Sequence, residues 1–399
     1  MRFWQRRNND LTVLMMLAVF SYTSSVVAAP IGEAELITSA LKMPIIQAAE
    51  AEVEEVRAAG IKDGLLANPQ LSFRRETGSQ GASSLNSWSL AVPIDTAGRG
   101  ATHRYVSASL RARAQASSEV LRSAHVLSVL QQFYSIAALR AEYELLDQAQ
   151  TDFAEAARVI RHRVQAGTLP EVAAVRLELE AELLQSKARQ SRSKAQRLSH
   201  ELAVRLGLDP EQTTFSAKLD TPSIMPGKTE ERASVLSLKL AEEHAQRALN
   251  SRWRSWIPQL VIGAEANEQQ GSQALLSLGF ELPFFDRGQA QRAEAAATAE
   301  RALREAQAHE LQTAVDLRRS VTALNAAQKE KLRFQSSSKN RLEALMAATS
   351  SANRQGLLSP LEVLDAQRQQ ITIKKHNLAL QLRVKMVELD LRAAQGEFE

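Results

Sequence analysis

Two textures alternate along the chain, and each occurs twice. Between Pro258 and Pro283, Leu260, Ile262, Ala264 and Ala266 alternate with Val261, Gly263, Glu265 and Asn267. After Gln269-Gln270-Gly271-Ser272, Leu276, Leu278, Phe280 and Leu282 alternate with Ser277, Gly279 and Glu281. A period of two reads as strand, and two such runs around a short polar stretch read as a hairpin. The earlier copy is fainter: Leu71 and Phe73, a loop from Gly78 to Leu85, then Trp88, Leu90 and Val92 alternating with Ser87, Ser89 and Ala91. Each half thus predicts one hairpin with strands of about nine residues.

The second texture is helical. Neither Gly nor Pro occurs in the 66 residues from Ala101 to Ala166 or in the 67 from Gln289 to Gln355. Ala, Leu, Glu, Gln and Arg dominate both runs, and all are strong helix formers. Leu127, Leu130, Tyr134, Ala137 and Ala141 recur at three- and four-residue steps, the pattern of a coiled-coil seam. At ~1.5 Å per residue each run makes a rod of roughly 100 Å, too long for a compact globular domain. Each stops at a turn, Gly167 to Pro170 or Gly356 to Pro360, and helical pattern then resumes to Leu206 or Gln395. Each half therefore predicts a helical hairpin.

The turn residues reveal why everything comes in pairs. Asn68-Pro69-Gln70-Leu71 recurs as Ile257-Pro258-Gln259-Leu260 at an offset of 189, and Pro93 and Gly98 recur as Pro283 and Gly288 at 190. Gly167, Pro170 and Gly207 recur as Gly356, Pro360 and Gly396 at 189 or 190. A collinear series with one residue of slippage reads as a tandem duplication. The expected layout is a first repeat over 29–207, a breaker-rich linker over 208–235 and a second repeat over 236–399, the two repeats forming one fold.

Composition narrows the compartment. Arg2, Arg6 and Arg7 precede the apolar run Leu11 to Phe20, and Val26-Val27-Ala28-Ala29-Pro30 follows, so residues 1–28 read as a secretory signal cleaved after Ala28. Ten apolar residues fall short of the ~20 that span a bilayer as a helix, and no later run is longer, so a membrane crossing by this chain has to use strands. Strands of ~9–11 residues suit that role; the other reading is an ordinary soluble hairpin. Read as membrane strands, Leu71, Phe73, Trp88, Leu90, Leu260, Ile262, Leu276, Leu278 and Phe280 face lipid. Four strands cannot close a barrel, so subunits must pool them; two would give eight strands and three would give twelve.

Chemistry is nearly silent. There is no cysteine, and the seven histidines are scattered with no pair at ligand spacing, so no metal, cofactor or catalytic site can be named and the chain reads as a non-enzyme. With 49 Lys and Arg against 45 Asp and Glu, the net charge of +4 is too weak to indicate nucleic acid.

At this point the chain resembles a known family. The signal, Asn68-Pro69-Gln70-Leu71, Val92-Pro93-Ile94-Asp95-Thr96-Ala97-Gly98-Arg99-Gly100, Leu282-Pro283-Phe284-Phe285-Asp286-Arg287-Gly288-Gln289 and Gly356-Leu357-Leu358-Ser359-Pro360-Leu361-Glu362-Val363-Leu364-Asp365-Ala366-Gln367 look like TolC-type outer membrane factors. The Gly-Arg-Gly segment looks most like the branch serving cobalt, zinc and cadmium efflux. The resemblance implies a mainly α fold with a small β part. In it a homotrimer forms a twelve-stranded barrel in the outer membrane of a Gram-negative bacterium, continued by an α-helical periplasmic tunnel. It implies a passive exit duct, for heavy-metal cations among other solutes, that works with a periplasmic adaptor and an inner-membrane pump of the resistance-nodulation-division type. A periplasmic coiled-coil scaffold or adaptor without its own pore is the alternative. The chain departs from the family in lacking the lipidated cysteine of many members, and Glu399 follows Gly396 by three residues.

The resemblance also sets the site residues. Gly167, Thr168, Leu169, Gly356, Leu357 and Leu358 would form the docking tips for the adaptor, unless the glycines only end helices. Glu362 and Asp365 match acidic positions that face a narrowed pore, yet Ser359-Pro360-Leu361-Glu362 is equally a capping box with Pro at the first helical position. Their equivalents in the first repeat are Ala173 and Arg176, and Arg176 could pair with Glu362 or Asp365 to hold the constriction closed.

Overall fold

The computed structural model describes residues 30–62, 65, 67–76, 85–217, 219, 232–268, 272–281, 285, 287–354 and 359–399. Residues 1–28, read as a signal, Gly356, Leu357 and Leu358, expected at a tip, and residues 218 and 220–231 of the expected linker lie outside the described residues. Two short helices, α1 (Glu33–Leu41) and α2 (Pro44–Ile61), lead into strands β1 (Gln70–Glu76) and β2 (Leu85–Ile94), then α3 (Arg99–Gln165) and α4 (Glu171–Arg205). The plan then repeats as α5 (Ala233–Asn250), a single turn of tighter helix at Arg252–Trp256, β3 (Gln259–Glu268), β4 (Ser272–Glu281), α6 (Gln289–Arg354) and α7 (Pro360–Ala394). The rods expected from the Gly- and Pro-free runs are present, with 67 residues in α3 and 66 in α6. The strands have 7, 10, 10 and 10 residues, so β1 is shorter than the pattern suggested.

Duplication extends to elements that carry no Gly or Pro landmark. Pro44 and Ile61 bound α2, and Ala233 and Asn250, each 189 positions on, bound α5. α5 therefore begins inside the stretch expected as linker. These two helices flank the sheet-proximal halves of the rods, α2 against α3 and α5 between α3 and α6, while α4 and α7 pair with the distal halves.

A rod that contacts neighbours on several sides needs more than a two-position seam. On α3, Leu130 and Tyr134 are buried as the seam predicted, but Val126, Val129, Phe133 and Ile136 are buried as well, because α1, α4 and α7 all close on this level. The resulting knot takes in Leu36, Leu202, Phe215, Leu389 and Phe398. Buried charges inside it are paired, as the cost of desolvation requires. Tyr134 donates to Glu33, Arg392 bridges Glu33 (2.5 Å) and Glu397 (2.6 Å), and Lys385 meets Glu388 at 2.9 Å.

The four strands form one antiparallel sheet in the order β1-β2-β3-β4, so β2 and β3 join the two repeats and β1 and β4 are left as open edges.

Candidate functional site

Residues directly opposite in neighbouring antiparallel strands project from the same face. The register aligns Leu71, Leu90, Ala264 and Leu276 in one row, Phe73, Trp88, Ala266 and Ala274 in the next, Val92, Ile262 and Leu278 in a third, and Ile94, Leu260 and Phe280 in a fourth. All nine residues expected on one apolar face therefore share it. The phenyl of Phe73 packs on Trp88 at 4.7 Å, while Leu276 and Phe280 are 76% and 62% exposed. The opposite face carries Ser72, Ser89 and Glu265, then Arg74, Ser87, Asn267 and Gln273. The hydroxyls of Ser72 and Ser89 bond at 2.6 Å, and Gly263 leaves room for Ser277, whose Oγ would lie 2.3 Å from any Cβ there. Leu85, Ala91, Pro93, Val261 and Leu275 are the apolar residues on this side, Leu275 opposite Glu265 and Val261 between Pro93 and Gly279. From Ile94 to Trp88 the apolar rows cover about 20 Å along the strand.

At the other end, the turn after α3 closes by the two bonds of a Schellman motif. The Gly167 amide donates to Val164 O at 2.9 Å and that of Thr168 to Arg163 O at 3.0 Å, with Gly167 at φ +77°. A β-carbon is strained at that φ, which is why glycine ends the rod. Gly167 and Thr168 are exposed and Leu169 is half-buried; the hydroxyl of Thr168 is turned back onto Arg163 O at 2.8 Å. Below this turn Arg161 meets Glu178 through two nitrogens.

The capping box at the start of α7 is formed. Glu362 Oε2 accepts from the Ser359 amide at 2.7 Å and from its hydroxyl at 2.9 Å, while the Glu362 amide reaches Ser359 Oγ at 3.4 Å. These bonds hold the exposed Glu362 carboxyl below the usual carboxylate range. Asp365 lies 3.7 Å from Arg368, whose other nitrogen binds Glu180 of α4 at 2.5 Å. Within one chain Arg176 is exposed on α4 and meets neither Glu362 nor Asp365. The cation that the structure does place beside Asp365 is Arg368. Its i,i+3 spacing from Asp365 is legible in the sequence, but its bond to Glu180 is not, because that partner comes from the other hairpin.

No family model matches the sequence, and no curated protein matches it. Solved structures do match in shape. The outer membrane protein VceC from Vibrio cholerae superposes with a TM-score of 0.75 at 17% identity, over 91% of this chain and 96% of that one. The CmeC outer membrane channel of Campylobacter jejuni gives 0.73 at 15%, over 91% and 85%. The open state of the MtrE outer membrane channel of Neisseria gonorrhoeae gives 0.73 at 14%, over 91% and 88%. At such low identity the likeness speaks for architecture: mainly helical, with a small antiparallel sheet and paired long hairpins, this chain has the fold of these outer membrane proteins.

Proposed function

We propose that three copies of this chain join their sheets edge to edge into a twelve-stranded barrel in the outer membrane and form a passive exit duct. The observation that carries this reading is the sheet itself: one face apolar and exposed in four consecutive rows, the other holding the serines, Arg74, Glu265, Asn267 and Gln273 among a few apolar residues, and both edges unpaired within the chain. Such a sheet is costly in water and costlier alone in lipid, and closure across subunits relieves both penalties. The second face then lines the lumen, and the rods continue it into the periplasm. No described helix is long and apolar enough to cross a membrane; in this reading the strands are the crossing elements.

In this reading the turns at Gly167 to Leu169 and at Gly356 to Leu358 meet the hairpin of a periplasmic adaptor, which hands over solute from an inner-membrane pump. Glu362, Asp365 and Arg176 sit at the narrowed end, and the acids favour cations, heavy-metal ions included, as cargo. Fractionation of cells and native mass measurement in detergent test the assembly. The expected result is a particle of three chains in the outer-membrane fraction; a soluble monomer would remove the duct and promote a periplasmic scaffold.

A further inference from the structure

The foot of the sheet carries a cluster that the duct reading does not use. Between α5 and β3, Arg252-Trp253-Arg254-Ser255-Trp256 makes one tight turn, and both indoles are open to solvent, Trp253 at 61% and Trp256 at 50%. Each indole has a guanidinium over its face: Arg254 lies 5.9 Å from the Trp253 ring centre and Arg292 of α6 lies 5.3 Å from that of Trp256. Phe285, in the neighbouring connection between β4 and α6, is 95% exposed.

The turn is fixed from below. Arg254 donates to Gly98 O at 3.0 Å, Arg99 to Ile257 O at 2.6 Å, and Thr96 to Pro258 O at 3.0 Å, so the connections at this end are stitched together. Beneath them the buried hydroxyl of Thr102 bonds Ser251 Oγ at 2.8 Å. The aromatic rings are thus held outward by a rigid base, although apolar groups on a free surface would be expected to fold inward.

Charge at this foot leans positive, although Glu281 ends β4 there and Asp286 stands between Phe285 and Arg287 in the sequence. Arg99, Arg252, Arg254, Arg287 and Arg292 gather there. The acid described in the same connections, Asp95, has its carboxylate on the Gly100 amide at 3.0 Å. Duplication of the chain does not account for the cluster, because 189 positions earlier the sequence reads Asp63-Gly64-Leu65-Leu66-Ala67.

We propose that this foot is a docking belt for the headgroups of anionic phospholipids, with the indoles at the level of the glycerol backbone and the arginines on the phosphates. The belt continues the apolar face, whose last row is Ile94, Leu260 and Phe280. An indole is apolar over its body and polar at its N–H, which suits the boundary between acyl chains and water. Guanidinium matches phosphate oxygens in a planar fork, and each cation near an anionic surface adds attraction. The proposal rests on the barrel reading, since it needs the sheet to lie in a bilayer.

Tryptophan quenching separates the two. In the assembled protein, W88F isolates the emission of Trp253 and Trp256, and W253F/W256F isolates Trp88, within the chain from residue 30 onward. The protein is placed in vesicles of equal parts phosphatidylglycerol and phosphatidylethanolamine, or of phosphatidylcholine alone, with bromine either near the headgroup or near the chain ends. Trp88 is expected to be quenched by the deep label and the Trp253/Trp256 pair by the shallow one, more strongly in the phosphatidylglycerol vesicles. Replacing Arg252 and Arg292 by Gln is expected to lower co-purifying phosphatidylglycerol about fivefold per arginine. Trp88 quenched and the pair unquenched would leave the barrel and overturn the belt. No quenching of either would remove both. Equal quenching in both lipids, unchanged in R252Q/R292Q, would overturn the anionic preference on which the proposal stands.

Discussion

Between α3 and α4, buried apolar contact runs from Leu146 and Leu184 through Phe153 and Ala181 to Ala157 and Leu177, nearly to the turn. Between α6 and α7 the buried cluster holds Leu324, Ala327, Val384 and Leu391 and stays near the middle of the molecule. Nearer the tip, α6 and α7 meet through Gln335 and Asn377 at 3.1 Å and through Phe334 edge-on to His376 at 4.6 Å. The far end of α7 turns instead to the first hairpin: Leu364 is buried in its cluster, Lys375 binds Glu142 at 2.6 Å, and Arg368 binds Glu180. Two copies of one plan have thus diverged in how they are held. The first hairpin is sealed by its own core, α7 leans on it, and the distal half of α6 is the least secured of the four helices, with Leu332 left exposed.

The largest expected effect comes from breaking the seal. Phe153 is fully buried, so Phe153→Ala removes its contacts and leaves a cavity, with an expected cost of about 3–5 kcal/mol in urea unfolding. Phe334→Ala in the second hairpin, at a half-buried position, is expected to cost less than half as much. Hydrogen exchange should show α6 below Leu332 opening before α3 in the unaltered protein. Equal costs for the two substitutions would mean that the hairpins are equally sealed.

Next comes the bond between the hairpins. Arg368→Gln leaves Glu180, nearly buried on α4, without its cation. Loss of a charged hydrogen bond costs up to about 3 kcal/mol, and the half-exposed arginine brings this down to roughly 1–2. A double-mutant cycle with Glu180→Gln isolates the pair; a coupling near zero would mean that α7 is held by Leu364 and Lys375 alone.

A third test compares two carboxylates near the middle of the molecule. Burial pushes Glu33 up, but bonds from Tyr134 and Arg392 outweigh it and hold the group below the usual range. Its contribution is therefore present above the ordinary value of about 4.3 and is lost as pH falls through the lower folded value. Glu119 goes the other way: burial and the charge of Glu399 lift it against hydrogen bonds from Ser237 and Gln115. A raised acid favours folding below its unfolded value and loses that contribution as pH rises through the folded one. Glu119→Gln is expected to raise the melting temperature at neutral pH, with the gain fading on acidification, whereas Glu33→Gln should lower it at neutral pH and flatten the acid limb. The same sign for both would refute the assignment.

What the sequence revealed followed from the reach of each signal. Absence of Gly and Pro over 66 residues is a statement about every position, so the rods were legible, and alternation at Leu260 to Asn267 was legible for the same reason. α5 was hidden because α2 and α5 share no turn residue, so their 189-residue offset left no landmark. Arg368 with Glu180, and the arginine-tryptophan foot, depend on which helices and turns become neighbours, and periodicity does not carry that information. Both readings of Ser359 to Glu362 were open on the sequence, and the box is formed. The box engages the carboxylate of Glu362 without deciding what lies in front of it.

The smallest expected effect is at that tip, where the hairpins differ in charge rather than in packing. Two acids, Glu362 and Asp365, stand where the first repeat has the buried Ala173 and the exposed Arg176. A bare ring of such acids would repel anions strongly, but Arg368 lies between Asp365 and Glu180 and cancels part of the field. Removing both acids by Glu362→Gln and Asp365→Asn should therefore lower the cation-to-anion permeability ratio in planar bilayers only modestly, and Arg368→Gln should raise it. Stability should change by less than about 0.5 kcal/mol in the double variant, because Gln at 362 can still accept from the Ser359 amide. The opposite movements of the two variants are what a capping role alone does not produce. If the ratio stays fixed in both, the carboxylates only start a helix, and the two tips differ in their folding chemistry and not in what they present to a passing ion.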